Sequence, residues 1–460
     1  MQKIISNSAL TAIVTFITLY SSGQKSEKPN FVLFMADDCS YYDLGCFGNS
    51  DSKTPNIDRF AAQGISFTKA YQSAPMSSPT RHNLLTGLWP VKTGAFPNHT
   101  MVNGGTLSII QHLRPSGYKV ALIGKSHVKP GTVFSWDLEV PLTKSNDIDF
   151  ESVDSFIEAC SRNRQPFCLF VMSNQPHTPW NKGNPAMFNA EDIKLPPFYV
   201  DIPETRKEFC KYMAEINYMD GEFGTLLAKL EKHKIVDNSV VVYLSEQGNS
   251  LPFAKWTCYD AGVHSAFMVR WPGEIKPGLI SDALVEYIDI VPTFLEIADV
   301  QTESPIDGKS IVPVITGKVK EHKQYTFSIQ TTRGIISGSE FYGIRSVADK
   351  KYRYILNLTP EETFKNVVTE SPLFKKWQEL ALSDTLANWI TDRYQHRPAI
   401  ELYDLERDKY CMNNIANEHD YKAIVHRMDK VLNEWMTLCG DKGQATEMEA
   451  LKHMPGNIKN

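Results

Sequence analysis

The sequence predicts an α/β chain, with a large sheet sandwiched by helices followed by a smaller subdomain built on an antiparallel sheet. Three observations predict this. Apolar, β-branched runs such as Asn30–Met35, Phe167–Ser173 and Asn238–Leu244 read as strands buried on both faces. Stretches with helical spacing lie between them. Past Tyr325 the strands become short and turn-separated, with no βα alternation left.

The 460 residues, 42% of them hydrophobic and 22% charged, give enough core for one large domain and a smaller one, which excludes a disordered chain. The boundaries read from the pattern are 30–320 for the first and 321–460 for the second. Net charge is −5 without a block of Lys or Arg, so neither nucleic acid nor an anionic membrane is an expected partner. Lys3, the apolar run Ala9–Tyr20 and the small residues Ser21, Ser22 and Gly23 read as an export signal spanning 1–23, which places the mature protein in the periplasm or outside the cell. That run is shorter than the roughly 20 residues of a membrane span, and no other stretch qualifies, so no transmembrane span is expected. The eight cysteines lack the CxxC spacing of zinc sites and leave both disulfides and buried thiols open.

In chain order, Asn30–Met35 is a strand that closes on Asp37 and Asp38, two carboxylates at a strand's C-terminal edge, where open α/β sheets collect their chemistry. Thr54-Pro55 opens a helix through Ala62, and Ile65–Tyr71 reads as a strand leading to Ser77-Ser-Pro-Thr-Arg81-His-Asn-Leu-Leu-Thr-Gly87. There Pro79 suits the first turn of a helix, Leu84 and Leu85 supply its apolar face and Gly87 stops it. A hydroxyl at a helix N-terminus, with Arg81 one turn on, makes a cradle for a tetrahedral anion. Thr106–Leu113 reads as a helix and Tyr118–Ile123 as a strand ending in Gly124-Lys125-Ser126-His127. Residues 147–163 form an amphipathic helix, Phe167–Ser173 a strand closing on Asn174-Gln175-Pro176-His177, and roughly Lys207–Lys234 a long helix. Asn238–Leu244 closes on Ser245-Glu246-Gln247-Gly248, with Lys255 nine residues past Glu246. Phe267–Trp271 is the next strand, and Val285–Val300 an apolar helix that Pro292 should kink. Thr326–Gln330, Phe341–Val347, Tyr352–Leu356 and Ile400–Tyr403 form the small sheet, against helices such as Asp420–Thr437.

The eleven residues from Ser77 to Gly87, with Thr-Pro-Asn-Ile-Asp-Arg-Phe-Ala at 54–61 and the strand-end residues above, resemble the type I sulfatases over about residues 30–435. The resemblance implies an alkaline-phosphatase-like fold. It also implies that Ser77 is oxidised to formylglycine (3-oxoalanine) by a serine-type maturation enzyme, and that one calcium ion is held by Asp37, Asp38, Ser77, Glu246 and Gln247. Most of the family carries Asp followed by His or Asn where this chain has Glu246-Gln247. Both replacements keep hard oxygen donors, each one methylene further out. By the same resemblance Arg81, Lys125 and Lys255 neutralise the sulfate, His127 handles the formylglycine hydroxyl, and His177 or Lys255 protonates the leaving group.

Gly124–Val128 with Pro130–Val133, the short spacing from Glu246 to Lys255, and Phe341–Val347 resemble the heparan N-sulfatase branch. That implies a sulfated glycan substrate, with the N-sulfate of glucosamine as the bond cleaved. A 6-O-sulfatase, a phosphoesterase using unmodified Ser77 with zinc, and a glycan-binding protein without turnover are the competing readings. Arg345 either meets a substrate carboxylate or holds the small sheet.

Overall fold

A computed structural model describes residues 28–455, so the export signal read at 1–23 lies outside the described residues. The strands are β1 (Asn30–Met35), β2 (Ile65–Phe67), β3 (Ala70–Tyr71), β4 (Lys119–Gly124), β5 (Leu138–Val140), β6 (Phe167–Met172), β7 (Ser239–Leu244), β8 (Phe267–Arg270), β9 (Leu279–Ser281) and β10 (Val285–Glu286), followed by β11 (Thr326–Thr331), β12 (Gly343–Ala348), β13 (Tyr352–Asn357) and β14 (Ile400–Asp404). The large sheet runs β5-β4-β6-β1-β7-β8-β2-β9. From β5 to β7 every neighbour is parallel, whereas β8 is antiparallel to both β7 and β2.

Strand alternation divides the core. Val32 and Phe34 of β1 face one layer with Met219 and Phe223 of the helix Pro203–Lys232. Phe31, Leu33 and Met35 face the other, with Leu84, Leu85 and Phe294. Successive side chains of a strand point to opposite faces, so a run apolar at every position requires a cover on both sides. The small sheet, β11-β12-β13-β14, is antiparallel throughout. It buries Val347, Tyr354 and Leu402 against Met428, Leu432 and Trp435 of the helix Lys422–Cys439.

Three sequence expectations change. The strand read over Ile65–Tyr71 is two strands with Thr68 and Lys69 between them: β2 joins the large sheet, and β3 pairs with β10. The single helix read over Val285–Val300 is instead β10, a 3-10 turn and a helix that begins at Ile290. Pro292 therefore sits in that helix's first turn, where a backbone N–H has no partner inside the helix, and it makes no kink there. The long helix starts at Pro203 rather than Lys207, because proline suits the first helical position. Arg345 is fully buried in ion pairs with Asp441 and, at 2.7 Å, Glu447, so it holds the small sheet to the C-terminal segment. None of the eight cysteines is in a disulfide. Among the described residues no helix is long and apolar enough to cross a membrane.

Candidate active site

Adjacent parallel strands must end on the same edge of their sheet, so β4, β6, β1 and β7 deliver their terminal residues side by side. Asp37 and Asp38 follow β1, Lys125 follows β4, His177 lies past β6 and Glu246-Gln247 past β7. The helix α1 (Pro55–Ala61) docks its first turn on Asp220 of the helix Pro203–Lys232, whereas α2 (Ser77–Thr86) points its first residue into this edge. Gly87 at φ +69° ends α2 as expected.

Oxygens of Asp37, Asp38 and Glu246 lie within 4.8 Å of one another and are fully buried. Ser77 Oγ sits between two of these carboxylates, 2.9 Å from Asp37 and 2.8 Å from Glu246. Three cations answer the three carboxylates: Arg81 Nε lies 2.7 Å from Glu246, Lys255 Nζ lies 2.7 Å from Asp38, and Lys125 pairs with Asp37. His177 Nε2 is 3.7 Å from Asp38, while its Nδ1 donates to the Thr178 carbonyl at 2.6 Å. Burial raises the carboxyls of both Asp37 and Glu246. For Asp37, Lys125 and a bond from Glu246 outweigh burial and hold it well below the usual range, whereas Glu246 stays well above its own despite Arg81.

The donor set suits a hard cation. Gln247 directs its amide nitrogen into the centre of the cluster, at 2.7 Å from Asp38, 3.0 Å from Ser77 and 3.1 Å from Glu246. Half a turn of that carboxamide puts its oxygen there instead, giving an all-oxygen set. The longer Glu246 and Gln247 side chains therefore still converge. A divalent ion among these oxygens would take over their charge balance and release Arg81, Lys125 and Lys255 to meet an anion. Arg81 Nη2, buried and without a hydrogen-bond partner, is a further donor for it.

Backbone strain marks the same place. Asp38, His99, His127, Phe253 and Trp256 all have positive φ, between +58° and +70°. For residues other than glycine this costs of order 1–3 kcal/mol each and persists only where the surroundings enforce it. Phe253 and Trp256 flank Lys255 and turn its side chain onto Asp38.

Nine of the ten residues singled out from the sequence fall into one connected cluster. The tenth, His127, stands beside it and makes its contact with His99, which sequence reasoning did not select: His127 Nε2 lies 2.8 Å from His99 Nδ1. Gln72 was also missed; it reaches the Gln247 oxygen from the end of β3 at 3.4 Å. Neither carries a local signal, since a loop histidine and a strand-end glutamine are common. A cavity of about 310 Å³, lined in part by Ser78, His99, His127, Lys129 and Glu139, opens next to the cluster. Another of about 510 Å³ lies by Asn30, Phe167 and Asn238, at the strands' opposite ends, and contains none of this chemistry.

Fold and site together define an α/β protein of alkaline-phosphatase-like architecture with a buried cluster of carboxylates and cations at one edge of its large sheet. The sulfatase family profile matches residues 29–300, and a second profile, N-sulphoglucosamine sulphohydrolase, C-terminal, matches residues 248–366. The chain belongs to the sulfatase family, enzymes that hydrolyse sulfate esters or sulfamates. It is 35% identical to an ulvan-active sulfatase of Formosa agariphila, across 92% of this chain and 83% of that protein. It is 23% identical to human N-sulphoglucosamine sulphohydrolase, across 88% and 89% respectively. Two solved structures share the fold. One, a complex with D-glucosamine-2-N,6-O-disulfate, is 19% identical with a TM-score of 0.69, covering 91% of this chain and 99% of its own. The other, a phosphonate monoester hydrolase of Agrobacterium radiobacter, is 17% identical with a TM-score of 0.70, covering 91% and 97%.

Proposed function

We propose that this chain is an exported, calcium-dependent sulfatase of sulfated glycans whose working residue is formylglycine made from Ser77 by a serine-type maturation enzyme. The observation that carries the reading is the pairing of three buried carboxylates with three cations around Ser77. Asp37, Asp38, Glu246, Gln247 and residue 77 would hold the ion, whose charge neutralises the sulfuryl oxygens. Formylglycine supplies, as its hydrate, one hydroxyl to accept the sulfuryl group and a second whose deprotonation releases sulfate.

The remaining steps belong to this chain's side chains. Arg81, Lys125 and Lys255 bind and orient the sulfuryl oxygens, in a site whose floor is closed to water, where such charges act strongly. His127 is the base for the second hydroxyl. Beside Asp38, His177 has Nδ1–H fixed on the Thr178 carbonyl, which leaves Nε2 as the atom that carries a proton toward the leaving group. Lys255 is the other candidate for that role.

The N-sulfate of glucosamine is the bond assigned first, supported by the match of residues 248–366 to the N-sulphoglucosamine sulphohydrolase C-terminal profile. A second reading, an O-sulfate ester on an ulvan-like polysaccharide, is favoured by the 35% identical relative. Matured protein incubated with calcium and, separately, with glucosamine-2-N,6-O-disulfate and ulvan oligosaccharides tests both. A freed amine with the 6-sulfate intact establishes the first. Sulfate released from ulvan fragments alone establishes the second. Release from neither, once mass spectrometry shows residue 77 converted, rejects both substrates.

A further inference from the structure

His99 lies in the loop after the short helix Pro90–Thr93 and His127 follows β4, so only the fold brings them together. Their rings are 4.8 Å apart between centroids, with His99 Nδ1 at 2.8 Å from His127 Nε2. Between two neutral imidazoles such a contact holds one hydrogen: one nitrogen is N–H and the other a bare lone pair. The remaining nitrogen of His127, Nδ1, is buried and has no hydrogen-bond partner. The charged groups acting on that ring include Lys125, Arg81 and Asp37, all members of the active-site cluster. His99 is itself exposed, so water can serve its Nε2.

The state of His127 Nδ1 is therefore tied to His99. If His99 donates, Nε2 of His127 is the acceptor, Nδ1 must carry the hydrogen, and it cannot take up another. If His127 donates from Nε2, Nδ1 keeps a lone pair and is a base.

We propose that His99 is a positioning residue that fixes the ring and tautomer of His127, with Nε2–H of His127 donating to His99 Nδ1 and Nδ1 of His127 left bare as the base. The proposal rests on the reading of His127 as the base for the hydroxyl of residue 77. In the base step the O–H bond breaks and an Nδ1–H bond forms. The new imidazolium retains its Nε2–H, directed at the His99 lone pair, so the positive charge is met by an acceptor. This is the logic by which a second group orients a catalytic histidine elsewhere, here with a neutral partner.

The test uses full-length protein with ¹⁵N-labelled histidine and unconverted Ser77, so that one readout is independent of turnover. Long-range ¹H–¹⁵N spectra report which ring nitrogen of His127 is protonated, its signals being identified by their loss in His127→Asn. The expected result is Nε2–H with bare Nδ1 in the parent, a mixture of tautomers in His99→Ala, and restoration in His99→Asn, whose side-chain oxygen accepts the same hydrogen bond. In matured enzyme His99→Ala should lower kcat roughly ten- to a hundredfold with KM little changed, and His99→Asn should recover most of it. Nδ1–H on His127 in the parent, or a loss of kcat in His99→Ala with the tautomer unchanged, overturns the proposal. Full activity in His127→Asn would instead overturn the base assignment beneath it.

Discussion

Gln247 is the residue on which the ion site turns, because its amide fills the centre of the carboxylate cluster and can present either nitrogen or oxygen there. If calcium binds as proposed, an excess of about 100 times the dissociation constant stabilises the fold by about 2.7 kcal/mol. The thermal midpoint should rise accordingly, and Asp38→Asn should abolish the rise; an equal rise in both would remove the ion from this site. For His177→Ala, loss of an acid should cost about 10²–10⁴ in kcat on a sulfamate or alkyl sulfate and little on an activated aryl sulfate, whose leaving group needs no proton. Equal losses on both would return the role to Lys255. Glu222 gives a stability prediction away from the ion site. Burial pushes its carboxyl up to about 7, against a bond from Ser173 Oγ at 2.5 Å. A raised folded-state pKa stabilises the protonated form, so this contribution is full below pH 4.5, falls as pH rises to about 7, and is flat above. Subtracting the pH–stability curve of Glu222→Gln from that of the parent should leave that slope and nothing else.

At the scale of the element, β4 carries the most sharply defined demand. Gly124 ends the strand at φ +116°, and a Cβ there would lie 2.0 Å from the Met172 carbonyl oxygen of β6. That oxygen accepts the Lys125 amide at 2.8 Å, so the bare Cα lets the backbone fold back and aim Lys125 at Asp37. Gly124→Ala should therefore destabilise by more than the ~1 kcal/mol of an ordinary exchange. It should also weaken sulfate binding, measured as the inhibition constant of inorganic sulfate. A destabilised variant with an unchanged inhibition constant would mean that Lys125 finds its place without the turn. The elements that changed relative to the sequence pattern, β3 and β10, are two residues each and take their strand form from pairing with each other across some two hundred residues.

Across the whole molecule, the small sheet is bolted through buried charge to the connections at the end of the large one. Asp260 accepts from Tyr42 at 2.5 Å, from His264 at 2.8 Å and from Arg353 of β13 at 2.8 Å. Removing one member of such a set leaves an unpaired buried charge and typically costs 3–5 kcal/mol. Asp260→Ala should lower the unfolding free energy by about that amount, measured by denaturant titration. A loss below about 1 kcal/mol would show that the two sheets hold by apolar packing alone. A separate buried ion-pair set closes a sequence reading that stayed open: Arg345, on β12 of the small sheet, is spent on Asp441 and Glu447 of the C-terminal segment.

Much of this was legible in the sequence because local chemistry dictates it. An all-apolar run needs cover on both faces, a proline in the first turn and a glycine after the last define α2, and polar residues at the ends of neighbouring parallel strands must share an edge. Those rules put Asp37, Asp38, Ser77, Lys125, His177 and Glu246 at strand ends and a helix start, and the resemblance to the sulfatases singled them out there. Only the tertiary structure brought His99 to His127, turned Lys255 onto Asp38 through two strained residues, and split the strand after α1. Each of these is decided by long-range contact, whose energy comes from a partner far along the chain and leaves no mark on the residues next to it.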